Sequence, residues 1–144
     1  MGDTQNNKLT RREGNDTING GEGDDFLVGI AGTDILFGGA GADSFVYISP
    51  DNGSDRIQDF ETGIDTILIV GAVFPGNLLG GRLNESVSQF SFGDRATEAN
   101  HRFIYNNANG QLLFDRDGVG GADSRLLATL SGNIELTSAD IEVI

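Results

Sequence analysis

The chain has 144 residues, of which nine are basic and 22 acidic, and its formal net charge is −13. This balance argues against binding to nucleic acid or to anionic membrane surfaces, and it fits a chain that binds divalent cations. The absence of cysteine excludes disulfides and thiol chemistry. No apolar run has the length of a transmembrane helix or of an N-terminal signal peptide, so membrane insertion is not expected.

The first stretch, residues 1–12, is polar and includes three basic side chains, Lys8, Arg11 and Arg12. The first residues of a domain are usually poorly ordered unless a sheet or a helix holds them. We therefore predict a flexible tail over residues 1–12.

Residues 13–47 contain a nine-residue internal repeat, a feature that decides the fold when it is present. Glycine recurs at the first, second and fourth positions, although the first unit lacks the glycine pair and the third has Ile30 in place of the second glycine. A flexible Gly/Asp-rich linker is the alternative, but a linker would not place apolar residues at a fixed step. The sixth-position aspartates are Asp16, Asp25, Asp34 and Asp43, and the eighth-position apolar residues are Ile18, Leu27, Leu36 and Phe45.

Each unit predicts a turn followed by a very short strand. Its first six residues are turn formers, and the middle side chain of the three-residue strand points inward. Two units then close one coil of a flattened solenoid in 18 residues, so Asp16 is expected near Asp34, and Asp25 near Asp43. The predicted fold is all-β, with a short parallel β-roll over residues 13–47 and a β-rich C-terminal cap.

Carboxylates and turn carbonyls along one edge form an oxygen-only set of ligands, which suits a hard cation and usually Ca²⁺. Because so small a core cannot offset the backbone entropy, and because the aspartates repel one another, we expect ion binding to drive folding. The predicted carboxylate ligands are the four aspartates of the repeat. The turn residues predicted at the same sites are Gly14, Gly21, Gly23, Ile30, Gly32, Gly39 and Gly41.

The unit GGxGxDxUx, where U is apolar, resembles the calcium-binding nonapeptide of the RTX proteins, whose repeats form a parallel β-roll. Units two and four match it in full, and all four units stand in register. The resemblance implies Ca²⁺ as the bound ion. It also implies a secreted, extracellular protein that leaves Gram-negative cells through type I secretion machinery, using an uncleaved C-terminal signal.

Residues 48–144 are predicted to form a β-rich C-terminal capping and secretion-signal region. Its first part, residues 54–70, resembles the segment that follows the repeats in RTX proteins of the serralysin type. Asp55, Asp59 and Asp65 match the acidic positions of that segment. They either close the last calcium site, with Asp55 and Asp59 as ligands, or are surface and turn aspartates.

Further strands are predicted in the cap. Phe90 and Phe92 alternate with polar residues, and the runs 103–105 and 112–114 flank Asn109–Gly110, which indicates a hairpin. Asp115–Gly118 is either a tight turn or the start of a calcium loop. Residues 126–130 and the apolar end of the chain are predicted as strands, and the resemblance implies that this end also carries the secretion signal.

The seventh and ninth positions of the repeat should point outward. Phe26, Val28, Ile35 and Phe37 stand at these positions and would form an apolar patch. Monomers usually cover such patches. We therefore expect the second half of the chain, or a partner, to pack on it.

No catalytic motif is found in the sequence. The HExxH motif of zinc proteases needs two histidines, whereas this chain has only His101, which we expect at the surface, and GxSxG and P-loop motifs are absent. We predict that the chain is not an enzyme but a monomeric calcium-binding RTX module, which folds on Ca²⁺ binding outside the cell as the C-terminal part of a larger type I secreted protein. The alternative is a surface-recognition module that binds polysaccharide or another extracellular ligand.

Overall fold

The structure, a computed structural model, describes residues 1–76, 78, 80–83, 89–118 and 124–144. These residues form thirteen short β-strands and one turn of 3-10 helix, Ser138–Asp140, and none of their helical structure is long and apolar enough to span a membrane. The strands are β1 (Lys8–Thr10), β2 (Thr17–Glu22), β3 (Phe26–Val28), β4 (Ile35–Ala40), β5 (Ser44–Tyr47), β6 (Asp55–Ile57), β7 (Thr66–Ile69), β8 (Gly81–Arg82), β9 (Phe90–Phe92), β10 (Phe103–Asn106), β11 (Gln111–Phe114), β12 (Arg125–Leu130) and β13 (Ile141–Val143).

The strands belong to two sheets. Sheet one has the order β1-β3-β5-β7-β13-β8, and sheet two has the order β2-β4-β6-β12-β11-β10-β9. From β1 to β7 the chain alternates between the sheets, and all pairings among these seven strands are parallel. The predicted all-β fold, a parallel β-roll followed by a β-rich cap, is confirmed.

One row of apolar side chains fills the space between the sheets of the roll. Each strand from β2 to β7 contributes one of them, as predicted for the eighth position of the repeat. Full burial of such a side chain contributes about 1.5–3 kcal/mol to folding. The row consists of Ile18, Leu27, Leu36, Phe45, Ile57 and Ile67, none of which is more than 1% exposed.

The N-terminal residues do not form the flexible tail that we predicted. Lys8–Thr10 is strand β1, which pairs in parallel with β3, and the side chain of Leu9 packs against the core. The Gly2 amide also donates a hydrogen bond to the Asn19 carbonyl at 2.7 Å. Without this pairing, β3 would expose the unpaired amides and carbonyls of an edge strand, and these groups bind the N-terminal residues.

The parallel sheets also continue past residue 47, where the sequence repeat ends. Strand β6 pairs with β4, and β7 pairs with β5, so that residues 48–69 complete a further coil. The glycine pattern is missing from this coil, but its strands still provide an inward apolar residue and an aspartate at the start of the strand. The boundary predicted between residues 47 and 48 therefore does not coincide with a break in the sheets.

The cap covers the roll by extending both of its sheets. Strand β12 adds to β6 and strand β13 adds to β7, both in parallel. The predicted hairpin forms from β10 and β11, which pair in antiparallel fashion. Its aromatic residues Phe103 and Phe114 are buried, with ring centroids 5.4 Å apart. The end of the chain is thus a strand within sheet one.

Two polar residues of the cap, His101 and Asp115, are buried. His101 was expected at the surface but is buried, and its Nδ1 accepts a hydrogen bond from the Thr97 amide at 3.3 Å. Asp115 is also buried, and its Oδ1 accepts from the amides of Asp117 and Gly118 at 3.1 and 2.8 Å. These two bonds form a tight turn, which was one of the two alternatives for this segment.

The apolar patch on the outside of the roll is only partly covered. Val28 is buried, but Phe26 is 45% exposed and Ile35 is 37% exposed, so the second half of the chain does not pack over these two side chains. On sheet one the patch lines a groove of about 390 Å³, to which Val70 and Ile144 also contribute. The C-terminal region borders this groove without closing it.

Candidate metal centre

The turns of the roll stack along two edges. The first edge contains the turns that lead into β2, β4 and β6, and the second edge contains the turns that lead into β3, β5 and β7. An aspartate stands just before or at the start of each of these strands. We call the six residues the aspartate ladder: Asp16, Asp34 and Asp55 at the first edge, and Asp25, Asp43 and Asp65 at the second.

In five of the six ladder residues, one carboxylate oxygen accepts a hydrogen bond from a backbone amide of the preceding coil. Asp34 Oδ1 accepts a hydrogen bond from the Asp16 amide at 2.8 Å, and Asp55 Oδ1 accepts from the Asp34 amide at 3.0 Å. The second edge repeats this arrangement, with 2.9 Å at both steps between the carboxylate and the amide. The predicted neighbours, Asp16 with Asp34 and Asp25 with Asp43, are therefore confirmed.

The other carboxylate oxygen has no hydrogen bond in three residues of the ladder. Oδ2 of Asp25, Asp34 and Asp43 is buried, and it has no hydrogen-bond partner among the residues that the structure describes. A buried and unpaired carboxylate oxygen costs free energy, which a cation would offset. Because the atoms available as metal ligands at these edges are oxygens, the site has the ligand chemistry that Ca²⁺ requires.

The first glycine of each unit makes room for this unpaired oxygen. A Cβ atom built on Gly20, Gly29 or Gly38 would collide with Oδ2 of the aspartate in the same unit. At Gly38 the added Cβ would also lie only 3.0 Å from Asp43 Cγ. Glycine is required here by space, because any larger residue would displace the carboxylate.

The predicted turn residues stack between successive coils. The carbonyl oxygens of Gly14, Gly21 and Gly23 lie directly against the equivalent glycines one coil later, where an added Cβ would strike them. Ile30 departs from this pattern. Gly21 has a φ of 109°, which favours glycine, whereas Ile30 has no such conformation and β3 ends before it. The equivalent glycines one coil later are Gly32, Gly39 and Gly41.

Burial and mutual repulsion raise the pKa values of four ladder residues, Asp34, Asp43, Asp55 and Asp65. The pKa of Asp43 rises from 3.8 to about 6, first through burial and then through the charges of Asp65 and Asp25. The pKa of Asp55 also rises to about 6, through burial and the charge of Asp34. Amide donors oppose both shifts but do not cancel them. The ionised ladder is therefore held at a cost that a bound cation would relieve.

Comparison with known families identifies the repeated turns of the roll. Residues 12–45 match the family model of the RTX calcium-binding nonapeptide repeat, in four copies. Residues 12–45 are therefore RTX calcium-binding repeats, and the ion of such repeats is Ca²⁺. No curated protein matches the chain.

The RTX roll and its cap are also similar to a solved structure. A subunit of the mannuronan C5-epimerase from Azotobacter vinelandii, determined in solution, shares 22% identity with this chain. The match covers 98% of this chain and 80% of the other, with a TM-score of 0.53. At this level of identity the likeness supports the fold.

Two of the three acidic residues after the RTX repeats are built into the ladder. Asp55 and Asp65 are buried and accept ladder hydrogen bonds, so they are not surface aspartates. Asp59 instead accepts from the amides of Gly38 and Gly39, at 2.8 and 3.0 Å. It thereby holds the turn of the fourth RTX unit. That Asp55 and Asp59 bind calcium remains a prediction.

A degenerate unit precedes the four RTX repeats and was missed in the sequence. Asn7 stands nine residues before Asp16, and Leu9 stands nine residues before Ile18. The Asn7 amide donates to Asp25 Oδ1 at 2.7 Å, which is the ladder contact of the second edge. The nine-residue step was the available signal, but asparagine replaces aspartate and most of the glycines are absent.

Side chains alone do not complete a calcium site. Within the described parts of the chain, no three acidic or histidine side chains come together as a metal centre. The ladder carboxylates of one edge are separated by a whole coil. An ion between two coils would therefore take its remaining ligands from turn carbonyls or water, which Ca²⁺ accepts readily.

Proposed function

We propose that this chain is a calcium-dependent folding module of a secreted protein, and that each ion bridges two successive coils. The observation that carries the proposal is the set of three buried aspartate oxygens, in Asp25, Asp34 and Asp43, that have no hydrogen-bond partner. The further ligands would be Asp16, Asp55, Asp59 and the carbonyls of Gly14, Gly21, Gly23, Ile30, Gly32, Gly39 and Gly41.

The same carboxylates that bind the ion oppose folding without it. The net charge of −13 and the raised pKa values of Asp43 and Asp55 favour an open chain when calcium is scarce. Extracellular calcium modules have Kd values of about 10⁻⁴–10⁻³ M. With such affinities, the chain would stay loose inside a cell and fold outside it, because the binding free energy becomes folding free energy.

Export is the second part of the proposal. The RTX repeats, together with the resemblance of the C-terminal end to RTX secretion signals, support release through type I machinery as the C-terminal part of a larger protein. In this role the chain acts outside the cell as a monomer and has no catalytic activity of its own. Co-expression with a type I exporter tests this, since the chain should reach the medium and should fail to do so without residues 136–144.

A calcium titration followed by far-UV circular dichroism tests the folding switch, with Mg²⁺ as the control ion. We expect a cooperative gain of β-structure with Ca²⁺ and little change with Mg²⁺, because Mg²⁺ dehydrates reluctantly and prefers a strict octahedral geometry. A chain that is already β-rich in chelator, and that Ca²⁺ leaves unchanged, would contradict the proposal.

The alternative is a surface-recognition module for polysaccharide or another extracellular ligand. The specific observation in its favour is the open groove on sheet one, in which Phe26 remains 45% exposed. The similar solved structure belongs to an enzyme named for mannuronan, a polysaccharide. Titration of the calcium-loaded chain with polymannuronate, followed by a glycan array, would distinguish this function from a folding module alone.

A further inference from the structure

Tyr47 occupies the place that a glycine has in the repeats. In the regular units, the glycine two residues after the inward apolar residue leaves room for an aspartate carboxylate, as at Gly29 and Gly38. Tyr47 follows the inward Phe45 at the same distance and is the last residue of β5. Its side chain is fully buried. This coil therefore contains a phenol where the others have no side chain.

The turn after Tyr47 is longer than the turns of the regular units. The ladder step from Asp34 to Asp55 is 21 residues, whereas the regular step is 18. The buried side chain of Asn52 closes this longer turn against the preceding one, since its Nδ2 donates to the Gly29 carbonyl at 2.8 Å. The ladder contact between the Asp34 amide and Asp55 Oδ1 is still made across this longer step, at 3.0 Å.

The Tyr47 hydroxyl lies beside the carboxylates of this step of the first edge. The hydroxyl and Asp34 Oδ2 are both buried, and the hydroxyl is within hydrogen-bonding reach of the Asp55 carboxylate. Burial raises the pKa of Tyr47 well above its ordinary value, and the charges of Asp55 and Asp34 raise it further. The two carboxylates that face the hydroxyl are the ladder residues of this step, Asp34 and Asp55.

We propose that the Tyr47 hydroxyl is a positioning group of the calcium site between Asp34 and Asp55, where it donates a hydrogen bond to the Asp55 carboxylate. This inference rests on the proposed function, which makes both aspartates ligands of the ion. The hydrogen bond fixes the orientation of the Asp55 carboxylate and leaves its remaining lone pairs to the ion. In the coil that contains Tyr47, a hydrogen-bond donor thereby stands at the position where the regular units have a glycine.

The second tyrosine of the chain, Tyr105, has a hydroxyl whose hydrogen bond serves only the packing of the cap. Tyr105 is buried in the cap, and its hydroxyl donates to the Ile134 carbonyl at 2.8 Å. A buried tyrosine hydroxyl usually has such a partner. The Tyr47 hydroxyl instead lies beside the Asp55 carboxylate of the ladder, and this contrast makes Tyr105 the matched control.

Terbium luminescence tests whether Tyr47 lies next to a bound ion. Tb³⁺ takes oxygen ligands as Ca²⁺ does, and it emits when an excited tyrosine is adjacent; the chain has two tyrosines and no tryptophan. The full chain is loaded with Tb³⁺ and excited in the tyrosine absorption band. Tyr47→Phe, which keeps the ring, should lose most of this emission, whereas Tyr105→Phe should retain it. Excess Ca²⁺ should abolish the emission of the unsubstituted chain.

Calorimetric calcium titration then separates positioning from packing. Tyr47→Phe should weaken one class of calcium sites about tenfold or more, because a hydrogen bond to a charged group is lost, and should leave the other sites unchanged. A purely structural role would instead lower the stability of the calcium-loaded chain in urea and weaken all calcium sites alike, because binding and folding are coupled. That result, or undiminished Tb³⁺ emission from Tyr47→Phe, would overturn the inference. If the unsubstituted chain bound neither ion, the proposed function itself would fail.

Discussion

Replacement of Gly38 by alanine tests whether the repeat glycines exist to make room for the ladder. The new Cβ would collide with Asp43 Oδ2 and would lie 3.0 and 3.1 Å from the Cγ and Cβ of Asp43. The carboxylate cannot turn away freely, because its Oδ1 accepts the Asp25 amide at 2.9 Å. Overpacking of this kind costs about 1–3 kcal/mol. Alanine gains back about 0.4–1 kcal/mol by restricting the unfolded chain.

We therefore expect Gly38→Ala to lower the free energy of unfolding by about 1–2 kcal/mol, measured by urea denaturation at saturating Ca²⁺. The matched control is Gly80→Ala, where φ is not positive and the nearest atom to the added Cβ, the Val143 carbonyl oxygen, is 3.7 Å away. This control should be neutral or slightly stabilising. Equal stability of the two variants would refute the role that we give to the first glycine of the unit.

Three further predictions concern the aspartate ladder and strand β1 of the roll. Asp43→Asn retains an oxygen for the Asp25 amide but loses the charge at Oδ2. Calorimetry should therefore show one calcium site lost or weakened at least tenfold. The control variant Asp94→Asn, at an exposed position, should bind calcium as the unsubstituted chain does. In metal-free buffer, the folded fraction of the chain should rise as the pH falls through about 6, because the folded-state pKa values of Asp43 and Asp55 lie above 3.8 and the folded chain therefore holds more protons than the unfolded one. Far-UV circular dichroism measures this fraction, and a β signal that grew with rising pH over this range would contradict the burial and crowding described. Deletion of residues 1–10 should abolish the exchange protection of the Phe26 amide, which donates to the Asn7 carbonyl at 2.9 Å, and should leave that of the Ser44 amide, which donates to Asp25; unchanged exchange at Phe26 would mean that β1 is not formed in solution.

The sequence was sufficient to predict the roll because its two periodicities agree. Apolar residues at the eighth position of each nine-residue unit predicted the inward row. Aspartates 18 residues apart predicted the contacts between Asp16 and Asp34 and between Asp25 and Asp43. Both follow from backbone geometry and from the short strands alone. The hairpin around Asn109–Gly110 was predictable for the same reason, since its turn chemistry is local.

The parts that were not predicted depend on contacts distant in sequence. Lys8–Thr10 has a polar composition, and only the open edge of β3 makes it a strand. Strands β6 and β7 belong to the roll although their units are longer by three or four residues, because pairing tolerates insertions in the turns. The exposure of Phe26 could not be predicted, since nothing in the repeat indicates whether a later segment folds over it.

Asp25, Asp34 and Asp43 each belong to two coils at once, because Oδ1 accepts an amide of the preceding coil while Oδ2 has no hydrogen bond among the described residues. In such a one-dimensional array, every coil is stabilised mainly by its immediate neighbours. An interrupted coil therefore weakens the sites on both sides of it, and partly loaded chains should be rare. The number of coils would then set how steeply the chain responds to calcium, while the geometry of a single turn sets the concentration at which it responds.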